Sequence, residues 1–180
     1  MKQEADHHLE VLLTRDQIQA RVTQLAEEIT RDYSGAGELV LVAVLRGSVY
    51  FAVDLSRRLN LPFILDFIGI SSYAGASPSR GIVRITKDLE SNIVHKNVLL
   101  LEDIVDTGLT LNYLIQNLKT RNPSSLRVCA FLDMPARRIV NIPVDYYGFS
   151  LPDLYVVGYG LDYHERYRNL EVVAALKDPK

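Results

Sequence analysis

Short apolar runs of strand length alternate with amphipathic stretches along most of the chain. "ELVLVAVL" (38–45), "LPFILDFIGI" (61–70), "KNVLLL" (96–101), "SLRVCAFL" (125–132) and "IPVDYYGF" (142–149) are nearly continuous in apolar residues, as strands buried on both faces must be. "GIVRITKDL" (81–89) alternates instead, as a half-exposed strand does. Thr14 and Gln17 have capping-box spacing, and Ile18, Val22, Leu25, Ala26 and Ile29 follow at helical intervals until Gly35 and Gly37. Helical spacing recurs at Val49, Ala52, Val53 and Leu59, and again at Leu111, Leu114, Ile115 and Leu118. Strands alternating with helices predict an α/β fold, a mainly parallel sheet covered on both faces. One domain over 1–180 is expected, the part after Asp145 forming a small subdomain on the same core.

Composition adds limits. A chain of 180 residues that is 48% hydrophobic suits one domain with a real core. Twenty Lys and Arg against twenty-two Asp and Glu leave a net charge of -2, so no whole surface is marked for nucleic acid or an anionic membrane. Any phosphate site must be local. Cys129 is the single cysteine, in "LRVCAFL", and is expected to be a buried inert thiol. The start "MKQEADHHLE" has no apolar signal core, and no apolar run approaches the ~18 residues that span a bilayer. A soluble, cytoplasmic protein is expected. His7, His8, His95 and His164 show no metal-ligand spacing.

The candidate chemistry lies after "VLLL", where Glu102, Asp103 and Asp106 fall within five residues. In parallel sheets ligands bind outside the carboxyl ends of strands, beside the amino termini of the following helices. The helix is predicted to begin near Thr107. Thr107, Gly108, Leu109 and Thr110 then offer backbone amides, two hydroxyls and a glycine that lets a ligand approach, an anion cradle in physical terms. Glu102 and Asp103, just ahead of it, suit sugar hydroxyls or Mg2+ rather than phosphate. A plainer reading makes Asp106 a helix cap and the other acids partners of the helix dipole. Aspartic proteases also carry D-T-G, but they need paired acids on an all-β scaffold. The phosphate-binding patterns G-x-x-x-x-G-K-[ST] and G-x-G-x-x-G are absent.

"VLLLEDIVDTGLTL" (98–111) resembles the phosphoribosyl diphosphate motif of type I phosphoribosyltransferases. "VLRGS" (44–48) resembles the pyrophosphate loop of the hypoxanthine-guanine phosphoribosyltransferases, "SSYAG" (71–75) their lid, and "PDLYVVGYGLDYHERYR" (152–168) their base-binding and closing segment. The motifs cover the chain from about Leu39 to Leu170. The resemblance implies the type I phosphoribosyltransferase fold, with a hood built from the C-terminal segment and part of the N-terminus, and a mobile lid. It implies purine salvage: transfer of the 5-phosphoribosyl group from phosphoribosyl diphosphate to hypoxanthine or guanine, with Mg2+, in a homodimer or homotetramer.

Residue by residue, the resemblance gives Arg46 and Gly47 to pyrophosphate, with Arg where the family often has Lys and a cis bond between Leu45 and Arg46. Arg168 would contact pyrophosphate from the other side. Asp162 would reach Mg2+ directly or through water, with Glu102 and Asp103 on the ribose hydroxyls or metal waters. Thr107 to Thr110 would hold the 5'-phosphate and Asp106 would be the general base. Tyr155 would stack on the purine, the Val156 main chain would bond its edge, and Ser72 and Tyr73 would close the lid. Met134 in "FLDMPARR" is a departure, standing where a lysine normally donates to the 6-oxo group. Base preference is therefore open, and Met134→Lys is expected to lower the Michaelis constant for hypoxanthine. A phosphoribosyl diphosphate-sensing regulator of the same fold is the alternative. Retention of Arg46, Tyr73, Asp106, Asp162 and Arg168 favours an enzyme.

Overall fold

The computed structural model describes residues 9–73 and 82–177. Its larger sheet contains β2 (Leu39–Leu45), β3 (Phe63–Tyr73), β4 (Ile82–Lys87), β5 (Asn97–Val105), β6 (Ser125–Asp133) and β7 (Tyr146–Ser150) in the order β4-β3-β2-β5-β6-β7. All neighbours are parallel except β4, which pairs antiparallel with β3 at one edge. The apolar runs follow from the layering. In β2, Leu39, Leu41 and Ala43 pack with α1 (Arg15–Tyr33) and α2 (Val49–Ser56), whereas Val40, Val42 and Val44 pack with Leu111, Leu114, Ile115 and Leu118 of α3 (Leu109–Lys119). A strand covered on both sides loses about 1.5–3 kcal/mol of burial wherever a polar residue replaces one of these large side chains.

The capping box at α1 is formed: the Thr14 amide donates to Gln17 Oε1 at 2.8 Å and the Gln17 amide donates to Thr14 Oγ1 at 3.4 Å. Four expected boundaries move. β5 runs on to Val105, so Glu102 and Asp103 are strand residues. α3 begins at Leu109 rather than near Thr107, with Gly108 as its N-cap at φ +80°. β7 begins at Tyr146, after Pro143, which has no N–H to give a ladder. Leu59 falls beyond α2, where its amide still reaches the Leu55 carbonyl at 3.2 Å as the helix unwinds.

A second sheet was not legible as strands. β1 (Leu9–Leu13), β9 (Val173–Leu176) and β8 (Val156–Val157) pair antiparallel in the order β1-β9-β8, and Leu13, Val156 and Val173 close the α1 side of the core. Among the described residues no helix is long and apolar enough to cross a membrane. Cys129 is wholly buried, and burial holds its thiol well above the ordinary range, so it is inert.

The strand order matters for function. β2 and β5 are neighbours, with β3 on the far side of one and β6 on the far side of the other. The winding reverses between them, and the crevice at their carboxyl ends is where a parallel sheet binds ligands.

Candidate active site

Three segments meet in that crevice: Arg46 to Ser48 after β2, Glu102 to Thr110 from the end of β5, and residues 153–168 leading out of β7 and through β8. The Leu45–Arg46 peptide is cis. Gly47 lies between the other two segments. A Cβ on Gly47 would sit 1.5 Å from Asp103 Oδ2, and a Cβ on Gly160, at φ +105°, would sit 1.9 Å from the Gly47 carbonyl oxygen. Only residues without a side chain allow this approach.

Asp103 is the common wall of three adjoining depressions. A cavity of about 530 Å³ lies toward Arg46, Gly47, Glu102, Thr110 and Arg168, with Gly69, Ile70, Thr86 and Lys87 across it. One of about 260 Å³ lies toward Asp106, Tyr155, Val156, Asp162 and Arg137. A third, about 160 Å³, is the cradle of Glu102, Asp106, Gly108 and Thr110. Arg46, Gly47 and Arg168 line the first of these, Tyr155 and Val156 the second and Gly108 the third, while Glu102 and Thr110 are shared by the first and third, Asp106 by the second and third, and Thr107 and Leu109 line none of them.

The charges in the crevice are poorly matched internally. Glu102 is buried with Oε2 lacking a hydrogen-bond partner among the described residues, and burial, then repulsion from Asp103 and Asp106, holds its carboxyl well above the usual range. Burial also pushes Asp103 up to about 6, against the Ile104 amide, which donates to Oδ1 at 2.8 Å. Arg168 donates through Nη1 to the Gly160 carbonyl at 2.8 Å and pairs with Asp162 at 2.6 Å, but its buried Nε has no partner among the described residues. Arg46 is held 2.6 Å from Glu165, which also lies 3.5 Å from Arg168. A buried carboxylate oxygen without a donor and a buried guanidinium N–H without an acceptor, on residues lining one cavity, suit a ligand carrying hydroxyls, a cation and an anion.

Asp106 does not cap α3. Among the described residues its carboxylate meets only the Thr107 hydroxyl, which donates at 3.4 Å, while its carbonyl accepts from Arg138 Nη1 at 3.1 Å. Arg138 also pairs with Asp133, and the Ile139 and Val140 amides both donate to the Thr107 carbonyl at 3.0 Å. The loop is pinned through its main chain, which leaves the carboxylate turned to two cavities. Sequence reading missed Arg138, since a charged pair after a strand looks like ordinary surface. It also missed Lys87, Glu165 and Arg137.

Tyr155 and Val156 reach the cavity of about 260 Å³, with Tyr155 40% exposed and its carbonyl accepting from the Leu176 amide at 2.8 Å. Ser72 and Tyr73 end β3 opposite β4; the "AG" that completes the lid motif lies outside the described residues. Met134 does not stand at the cavity, contrary to expectation. Its side chain has no exposed surface and packs in the core cluster that includes Val156 and Leu161, rather than lining the cavity. The strand end points residue 134 inward, so the benefit expected of a lysine there loses its basis. Among the described residues no three His, Cys, Asp or Glu side chains converge as a protein-only metal cage.

The family profile of the phosphoribosyl transferase domain matches residues 9–164. A hypoxanthine-guanine phosphoribosyltransferase of Mycobacterium avium is 47% identical over 94% of this chain and 86% of its own. A hypoxanthine phosphoribosyltransferase of Escherichia coli is 44% identical over 93% of this chain and 94% of its own. The crystal structure of a hypoxanthine phosphoribosyltransferase from Staphylococcus aureus superposes with a TM-score of 0.92 at 44% identity, covering 98% of this chain and 96% of that one.

Proposed function

The chain belongs to the phosphoribosyl transferase family, and from that premise we propose that it salvages purines by moving the 5-phosphoribosyl group of phosphoribosyl diphosphate onto hypoxanthine or guanine. The products are the nucleoside monophosphate and pyrophosphate. The observation that carries this is the meeting of three compartments at Asp103, with arginines, buried acids and an exposed tyrosine ring distributed among them.

In the transfer, the bond from the ribose anomeric carbon to pyrophosphate breaks as a purine ring nitrogen attacks, and positive charge develops on the sugar. Arg46 and the free Nε of Arg168 neutralise the departing pyrophosphate. Glu102 and Asp103 bind the ribose hydroxyls. Thr107 to Thr110 bind the 5'-phosphate at the start of α3. Asp106 accepts the proton that leaves the imidazole ring of the base. Tyr155 stacks on that base, and Ser72 and Tyr73 close over the site and exclude water. The unpartnered Glu102 and the raised Asp103 fit a divalent cation brought by the substrate. Mg2+ held there by Glu102, Asp103 and Asp162, or through their waters, would supply charge neutralisation. A cytoplasmic homodimer or homotetramer is the expected setting.

Purified protein with phosphoribosyl diphosphate, Mg2+ and a panel of bases is expected to release pyrophosphate with hypoxanthine or guanine. Tight binding of phosphoribosyl diphosphate without product from any base would favour the sensing regulator instead. Asp162→Ala and Arg168→Ala are each expected to raise the phosphoribosyl diphosphate concentration needed for half-saturation by about 10- to 100-fold, the scale of a lost charged hydrogen bond. Saturation curves identical to wild type in both variants would remove these residues from the site.

A further inference from the structure

We infer that Arg137 reads the 6-oxo group of the base, supplying the cationic donor that Met134 cannot; the inference rests on the purine reading above. The side of the base that carries an oxo group presents hydrogen-bond acceptors, so the protein must offer donors there. The base-side cavity offers mainly the reverse. Asp103, Asp106 and Asp162 line it, and Arg137 is the one cationic side chain on its wall among the described residues.

Arg137 is placed for this by local geometry. β6 ends at Asp133, and Pro135–Arg137 then form a single 3₁₀ turn in which the Arg137 amide donates to the Met134 carbonyl at 3.1 Å. The Met134 amide donates to the Val105 carbonyl at 2.9 Å, so the turn is tied to the residue just before Asp106. A proton acceptor and a cationic donor therefore share one rigid frame. The guanidinium is oriented by an ion pair from its Nε to Asp153, two residues before the stacking ring of Tyr155. That contact leaves Nη1 and Nη2 without a hydrogen-bond partner among the described residues, on a side chain 35% exposed. A planar guanidinium held at one edge can present its other two amino groups to the oxo oxygen, which has two lone pairs to accept them. The plainer role, an exposed ion pair that only ties two loops together, contributes little to stability and does not depend on which base is bound.

The decisive comparison is between bases with and without the oxo group. With Arg137→Ala, the Michaelis constants for hypoxanthine and guanine are expected to rise about 10- to 100-fold. The constant for phosphoribosyl diphosphate, and the competitive inhibition constant of unsubstituted purine, should stay within a few-fold of wild type. Arg137→Lys should recover part of the loss, since one charged donor remains. An unchanged hypoxanthine constant in Arg137→Ala would overturn the assignment, as would an equal loss for unsubstituted purine, which is what a merely structural role produces. A wild-type protein that forms nucleotide from no base would overturn the purine reading and this inference with it.

Discussion

Asp106→Asn is expected to lower turnover with hypoxanthine by about 10²- to 10⁴-fold, the usual contribution of a positioned proton acceptor. The Michaelis constant for phosphoribosyl diphosphate should move little. The amide keeps the size of the carboxylate and can still meet the Thr107 hydroxyl at 3.4 Å, but it cannot take the imidazole proton. Structural side effects are small, because Gly108 and not Asp106 caps α3, and because the loop is held through the Asp106 and Thr107 carbonyls by Arg138, Ile139 and Val140. The unfolding midpoint should therefore match wild type. Steady-state kinetics and a thermal melt on the two proteins suffice, and turnover within a few-fold of wild type would mean that another group accepts the proton.

Gly160→Ala should damage the site from a distance at least as severely as many direct contacts do. The residue sits at φ +105°, a conformation that costs an L-residue on the order of 1–3 kcal/mol. Its new methyl group would lie 1.9 Å from the Gly47 carbonyl oxygen, a backbone atom with no side-chain freedom to yield. Gly47 has no room to retreat, since Asp103 occupies the space where its own Cβ would be, 1.5 Å from Oδ2. The Gly160 carbonyl also accepts from Arg168, so a shift reaches Arg46 and Arg168 together. A displacement of about 1 Å in a positioned group costs on the order of 10²-fold. The catalytic efficiency toward phosphoribosyl diphosphate is expected to fall by at least about 10²-fold, with a lowered unfolding midpoint. Gly35→Ala is the control. Gly35 has φ +75° with nothing within 4 Å of a Cβ, so that variant should lose about 1–2 kcal/mol of stability and no activity. Wild-type kinetics in Gly160→Ala would show that the approach of the two loops does not position pyrophosphate.

The layered α/β core was legible in the order of residues, because its signals are local. Burial on both faces demands unbroken apolar strands such as Leu39–Leu45, helix packing demands the spacing of Leu111, Leu114, Ile115 and Leu118, and Thr14 with Gln17 closes its capping box within one turn. The contiguous motifs were legible for the same reason, since each is a string whose residues act near one another. Features that depend on distant partners emerged only in the folded chain. β8 is two residues long and is a strand only because Ala174 and Ala175 lie opposite it, while β1 at the other end of the chain completes the sheet. Whether Asp106 or Gly108 caps α3 turned on the φ of Gly108 and on Arg138, Ile139 and Val140 holding the loop, none of it readable from D-T-G. Met134 and Arg137 make the contrast sharpest. An aligned position gives a place along the chain but not the direction of a side chain. Packing turned Met134 into the core, and a 3₁₀ turn with an ion pair to Asp153 brought Arg137, an ordinary surface charge by its local pattern, to the cavity wall.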